Sequence, residues 1–290
     1  MIPKETERDY YTAPTKHAHT RTHKLRPKTF GAERRETINL PLQNVFMFCK
    51  IQEDLGAVKM TQQAYQLRVY SAGAVAPPLQ KAIEIFEKKF GIRCNLKIGK
   101  PGDLLAEIAA SKEGDIICCG AEYILDEAED RGLVVKGSRR SLGFRRSVII
   151  VSTGNPAKIT CLEDLCREGV RIGIAVDGCL KGVWDDIASK AGLTDQIRRN
   201  ITHHADACGS LMSLINWEKV DAIFGWNAFH SLWPETCEVI ELPPDLQVFR
   251  STVVAMISYA KNAELSRKFI DFLTTNEVRK IYSDYGWVHR

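Results

Sequence analysis

The nine cysteines are the residues of this sequence best equipped for chemistry. A thiolate is a nucleophile and a ligand for soft metals, and a helix N-terminus activates it. Cys118 and Cys119 end the apolar run that begins at Asp115. Cys179 lies in the small-residue loop from Asp177 to Gly182, and Cys208 opens a helical stretch just after His203 and His204. Cys119, Cys179 and Cys208 are therefore candidates for a binding cleft. Cys94, Cys161, Cys166 and Cys237 read as small buried hydrophobes. No Cys-x-x-Cys pair and no zinc-ligand spacing occurs, so no metal site is assigned. Free thiols fit a reducing compartment or the envelope of an anaerobe.

A second chemistry belongs to the backbone. Three loops are small, bear glycine and precede helices: Ser71 to Val75, Pro101 to Asp103, and Asp177 to Gly182. N–H groups at helix N-termini attract anions, and glycine lets the backbone approach them. Among the aromatic residues, Trp226 is the strongest candidate for a cleft, while Trp184, Trp233 and Trp287 fit core packing. Arg139, Arg140, Arg145 and Arg146 could attract anions, though a solvated charge run is their usual reading.

Catalytic signatures are missing. There is no Gly-x-Ser-x-Gly, no P-loop, no GxGxxG and no His-Glu-x-x-His. Asp115, Asp177, Asp206 and Asp221 lie at strand and loop edges with nothing to pair them as acid and base. Asp206 is expected to cap a helix. The expectation is a protein that is not an enzyme, without catalytic residues or cofactor.

Strands and helices alternate from residue 67 onward. Leu67–Tyr70, Cys94–Ile98, Asp115–Cys119, Ser147–Val151, Arg171–Val176 and Val220–Phe224 are expected strands, several of them continuous apolar runs of the kind buried on both faces. Pro77 and Pro78 open a helix with Leu79, Ile83, Phe86 and Phe90 at helical spacing. Helices are also expected at Leu104–Ala110, Tyr123–Arg131, Cys161–Arg167, Val183–Ala191, Leu211–Trp217, Glu264–Leu273 and Asn276–Tyr282. Thr252–Ile257 is an expected return strand. This order predicts an α/β fold with mostly parallel sheets flanked by helices.

Composition agrees. The 290 residues are 44% hydrophobic and 26% charged, with a net charge of +4. Residues 1–64 hold 11 of the 40 Lys and Arg and 7 of the 36 Asp and Glu, so the remainder is balanced. A neutral body argues against a nucleic-acid groove, and no apolar stretch reaches membrane-span length. Residues 1–37 read as disordered, and 38–64 as a segment that docks as a short helix. No apolar leader opens the chain. This predicts a cytoplasmic protein unless the true start lies elsewhere, Met60 being one alternative.

The order of segments resembles the molybdate- and tungstate-binding proteins, the type II periplasmic solute-binding proteins of ABC transporters. The resemblance is carried by Leu67–Val75, Gly114–Gly120, the helix from Tyr123, Gly132-Leu-Val134, Arg145–Val151, Ala205–Ile215, Asp221–Ala228, and the ending from Phe269 to Gly286. It spans roughly residues 67–287. It implies two lobes, 65–145 plus 250–290 and 146–249. Two segments near Phe144–Ser147 and Leu246–Ser251 cross between them, and the lobes close over a ligand. It also implies capture of a small oxyanion for an ABC permease, by a monomer in the periplasm or cell envelope. A cytosolic sensor, or a thiol- or metal-dependent protein on the same scaffold, are the alternatives. The implied ligand residues are Ser71, Gly73, Ala74, Gly102, Asp103, Cys119, Cys179, Phe224, Trp226 and Asn227. Here the chain departs from the family. Two loop serines fall on Ala74 and Gly102, and a tyrosine falls near Phe224. Each lost hydroxyl donor would cost roughly 1–3 kcal/mol if nothing replaced it.

Overall fold

Pro77 and Pro78 lie in the first turn of helix α1 (Ala76–Phe90), where a missing N–H costs nothing, and Gly91 closes the helix at φ 68°. Its buried face is Leu79, Ala82, Ile83 and Phe86, the 3.6-residue repeat expected of a helix on a sheet. Burying each of the larger side chains contributes about 1.5–3 kcal/mol. Phe86 packs edge-on against Phe269, with ring centroids 4.8 Å apart, which ties α1 to the C-terminal helix α8 (Ala263–Leu273).

The computed structural model describes residues 65–290. The expectations for residues 1–64 lie outside the described residues.

One nine-stranded open sheet runs through the described residues, with helices flanking it. At one end β1 (Leu67–Ala72) lies between β2 (Cys94–Gly99) and β3 (Ile116–Cys119), all parallel. At the other end β5 (Ile172–Ala175) lies between β6 (Ile201–Ala205) and β7 (Ala222–Trp226), again parallel. Two longer strands join the ends. β4 (Arg140–Ser152) is antiparallel to β9 (Phe249–Met256) through Arg146, and from Ser147 it is antiparallel to β7. β9 in turn is antiparallel to β3, and β8 (Cys237–Ile240) flanks the second half of β4. At the handover, Ser147 N–H donates to the Val248 carbonyl at 2.8 Å, and Ser147 Oγ accepts from Val248 N–H at 2.8 Å.

The helices follow the βα order: α2 (Pro101–Ser111), α3 (Glu122–Asp130), α4 (Val183–Lys190), α5 (Thr194–Arg199), α6 (Cys208–Asn216), α7 (Ala228–Leu232), and α9 (Asn276–Asp284) after α8. Local differences from expectation have simple causes. The Cys161–Arg167 helix is a 3₁₀ turn at Glu163–Cys166. There the Asp164 carboxylate accepts from Thr160 N–H at 2.7 Å, a local bond that competes with helix. Asp206 sits one residue before the N-cap of α6, which is Ala207, and pairs with Lys100 at 2.7 Å instead. No helix among the described residues is long and apolar enough to cross a membrane.

Candidate functional site

The chain just past β3, the turn after β5, the end of β7 and Trp287 near the C-terminus gather around one side chain, Arg145. It lies at the middle of β4 and is fully buried. Alternation along the strand explains its direction, since Arg145 and Ser147 face inward while Phe144 and Arg146 are half-exposed. The other arginines of the run are occupied at the surface. Arg139 pairs with Asp126 and Glu129, Arg146 with Glu241, and Arg140 donates to the carbonyls of Gly137 and Arg139. The reading of the whole run as a solvated face is therefore corrected at Arg145.

The contacts of Arg145 come from four distant segments. Its Nη2 donates to the Gly120 carbonyl, just past β3. Nη1 donates to Cys179 Sγ at 3.4 Å. The guanidinium carbon is 4.9 Å from the Trp226 ring centroid and 5.6 Å from that of Trp287, so two indoles hold it by cation–π contact. Trp287 is itself fixed by a 2.7 Å bond from Nε1 to Thr252 Oγ1. Nε has no hydrogen-bond partner, and no carboxylate among the described residues lies within ion-pair distance of Arg145. A buried cation without a carboxylate is costly unless something anionic meets it.

Cys179 is the group that does. It lies in the 3₁₀ turn Gly178–Leu180 after β5. Its sulfur accepts from Arg145 and from Trp226 Nε1 at 3.3 Å, and lies 3.3 Å from Cys208 Sγ at the first residue of α6. The Cys208 thiol hydrogen bond, aided by Arg145 and Trp226 against the cost of burial, holds Cys179 far below the ordinary thiol range, at about 5. The same bond and then burial push Cys208 well above it. The two shifts run in opposite directions and favour the anionic sulfur on Cys179, the one that faces Arg145. Cys118 and Cys119 are opposite in character: burial pushes Cys118 up to about 12 and Cys119 well above its ordinary value. The Tyr282 hydroxyl lies against Cys118 without forming a well-aligned hydrogen bond, and is otherwise unpartnered.

This charge pattern has a pH signature in the reduced protein. Between about 5 and the ordinary thiol value of about 8.5, an unfolded Cys179 holds a proton that the folded one has released. Stability should therefore rise with pH across that window, and be lost as pH falls through the folded value. Thermal melts at stepped pH should show the rise in wild type and a flattened profile in Cys179→Ser.

Gly120 is needed for a different reason. A Cβ there would lie 2.6 Å from Arg145 Nη2 and 3.2 Å from Cys179 Cβ. Gly120→Ala should cost about 1–3 kcal/mol in chemical denaturation, because the two indoles leave the guanidinium little room to retreat.

Side chains also tie the β1–β3 end of the sheet to the β5–β7 end. Lys100 pairs with Asp206, the Tyr123 hydroxyl donates to the Gly178 carbonyl, and Arg250 on β9 reaches Asp186 at 3.5 Å. The 3₁₀ turn Gly73–Val75 packs against α6.

Of the residues singled out from sequence, Cys179 and Trp226 meet at Arg145. Cys119 is buried at the end of β3, one residue before Gly120. Ser71 is fully buried with Oγ bonded to the Ala72 carbonyl, while Gly73 and Ala74 form the turn against α6. Gly102 and Asp103 are exposed in the first turn of α2, where a Cβ on Gly102 would meet nothing within 4 Å. Phe224 is buried on β7, paired with Ile149. Asn227 is committed to the frame, accepting from Arg146 N–H at 2.9 Å and donating to the Gly286 carbonyl at 2.6 Å. His203 and His204 lie on β6, and no group of three or more His, Cys, Asp or Glu suited to a metal occurs among the described residues. Arg145, Gly120 and Trp287 were not singled out from the sequence as site residues. A clue to Arg145 was its position between inward-facing residues of a buried strand.

Comparison with known proteins shows the family and the fold. The profile of the bacterial extracellular solute-binding proteins matches residues 67–288. The molybdate-binding protein ModA of Mycobacterium tuberculosis H37Rv is 20% identical over 240 residues, covering 78% of this chain and 86% of that protein. Among solved structures, PEB3 of Campylobacter jejuni in its L-phospholactate-bound form superposes with a TM-score of 0.70 at 24% identity, over 77% of this chain and 100% of the other. The periplasmic molybdate-binding protein of Azotobacter vinelandii gives a TM-score of 0.64 at 16% identity, over 77% and 99%.

Proposed function

The chain belongs to the bacterial extracellular solute-binding proteins, and from that premise we propose that it captures a small oxyanion at Arg145 and presents it to an ABC permease. The observation that carries this reading is the guanidinium itself, buried between two indoles, lacking a carboxylate and with Nε unpartnered. A planar cation with a fixed donor fork suits carboxylate, phosphate and tetrahedral oxyanions. It would also supply what the missing loop hydroxyls at Ala74, Gly102 and Phe224 do not.

In this reading the lobes are residues 65–145 plus 250–290 and residues 146–249. They turn about the handover on β4 and the chain entering β9, as a hinge needs only a few residues to absorb the motion. The cross-sheet contacts Lys100–Asp206 and Tyr123–Gly178 correspond to a closed form. A single copy would act outside the cytoplasmic membrane, with Ser71, Gly73, Ala74, Gly102 and Asp103 on the facing loops. The names of ModA and of L-phospholactate-bound PEB3 support two ligand classes, an inorganic oxyanion and a small organic phosphate.

Thermal unfolding of the full chain against molybdate, tungstate, sulfate, phosphate and phospholactate tests the reading. A ligand at about 100 times its Kd adds about 2.7 kcal/mol, a shift of several degrees. One or more of these anions should raise the midpoint; no shift from any of them overturns the reading.

A further inference from the structure

Cys179 presents a difficulty for any anionic ligand. Its sulfur takes the donors of Arg145 and Trp226 that an incoming anion would use. A thiolate at this place also repels the ligand. The same sulfur, however, lies 3.3 Å from Cys208 Sγ, and no other pair of sulfurs among the described residues lies within hydrogen-bond distance. The two residues come from separate elements of the same end of the sheet, the turn after β5 and the start of α6. Closing their separation to a disulfide bond of about 2.05 Å asks for a small movement of that turn.

We propose that Cys179 and Cys208 form a reversible disulfide that arms the anion site by taking the Cys179 sulfur away as the acceptor of Arg145. The oxidant is a low-molecular-weight disulfide. Cys179 attacks one of its sulfurs, forming a mixed disulfide and releasing a thiolate that takes up a proton. Cys208 then gives its proton to solvent and attacks Cys179 Sγ, expelling the second external thiolate. Two protein thiols are oxidised by two electrons, and one external disulfide is reduced to two thiols. Both sulfurs are buried in the closed form, so the exchange belongs to an open form of the cleft. Once the bond has formed, the sulfur is neutral and a poor acceptor. Arg145 keeps its place between Trp226 and Trp287 but has lost its only anionic partner among the described residues, so an external anion completes the site. In a reducing compartment the site stays self-filled, and in an oxidising one it is open to ligand.

This inference rests on the reading of Arg145 as the anion anchor, and the test separates the two. The full chain is treated with oxidised glutathione or with a phosphine reductant and then titrated with sulfate and with molybdate near neutral pH. Peptide mass mapping reports the Cys179–Cys208 link independently of binding. The expected results are a linked peptide in the oxidised sample and anion affinity roughly tenfold tighter than in the reduced one, the scale of removing one nearby like charge. Cys179→Ser should bind as the oxidised form does in both conditions. Cys208→Ser should retain glutathione on Cys179 as a mixed disulfide. Absence of the link in folded, oxidised protein overturns the inference, as does a link that leaves affinity unchanged. Equal anion binding in both states sinks the switch and leaves the anchor standing. A failure of both states and of Cys179→Ser to bind either anion overturns the switch and removes the anchor with it.

Discussion

Arg145→Met should abolish the anion response of the protein while leaving its fold intact. Methionine is shorter than arginine but keeps most of the apolar stem, and its flexible thioether can pack toward the Trp226 and Trp287 rings. The guanidinium contributes little net stability when no anion is bound, because its burial costs desolvation and its Nε is unpartnered. Cys179, freed of the cation, titrates higher, although the Cys208 and Trp226 hydrogen bonds that also lower it remain. The expected change in ligand-free stability is therefore within about 2 kcal/mol, while affinity falls about a hundredfold, the equivalent of about 2.7 kcal/mol. At a ligand concentration that saturates wild type, the thermal shift should vanish. Arg145→Lys keeps the charge but loses the planar fork and the stacking, and should recover only part of the response. Calorimetry on the three proteins decides the matter; an undiminished shift in Arg145→Met would place the ligand elsewhere.

Trp226→Ala should have the opposite balance, with a large loss of stability. Trp226 is the largest fully buried side chain among the described residues. It ends β7 opposite Ser147, where β4 passes from one neighbour to the next. Removing it deletes the indole beneath Arg145, the Nε1 donor to Cys179, and a large apolar volume. The expected cost is about 3–5 kcal/mol in chemical denaturation, a large part of the 5–15 kcal/mol that ordinarily holds a domain together. Trp226→Phe keeps most of the volume and loses the N–H donor. It should retain the fold at a much smaller cost and raise the Cys179 titration, visible as slower thiolate alkylation in slightly acid reductant. A cost for Trp226→Ala below about 1 kcal/mol would contradict the packing described for this position.

The fold was legible wherever a strand is buried on both faces. Ile116–Cys119, Val148–Val151 and Ala222–Phe224 are apolar without interruption, and the structure places them inside the sheet. β6 was not legible, because an edge strand has one neighbour and its residues Thr202, His203 and His204 read as polar loop. The first half of β4 was hidden by its charges, since Arg140 and Arg146 are exposed or half-exposed surface residues of a strand. α5 and α7 are too short to show a helical period. The loops after β1 and β5, Cys179 and Trp226 could be singled out because small residues before a helix, or a tryptophan after an apolar strand, stand out locally, and Cys179 and Trp226 meet at Arg145. Arg145 was not. Arginine is rarely buried, so composition argues for the surface. Gly120, Cys179, Trp226 and Trp287, which surround it, lie far apart in sequence and meet only through the sheet. The Cys179–Cys208 pair has the same character, with 28 residues between its members and no local motif.

Where an oxyanion sits can be seen directly. Tungstate scatters anomalously, so crystals of the oxidised full chain grown with it would locate the anion directly. An anomalous peak is expected within hydrogen-bond reach of the Arg145 guanidinium, between the Gly120 carbonyl segment and the turn at Gly178–Leu180. Well-ordered tungstate elsewhere in those crystals, with no anion at the Arg145 guanidinium, would contradict this placement.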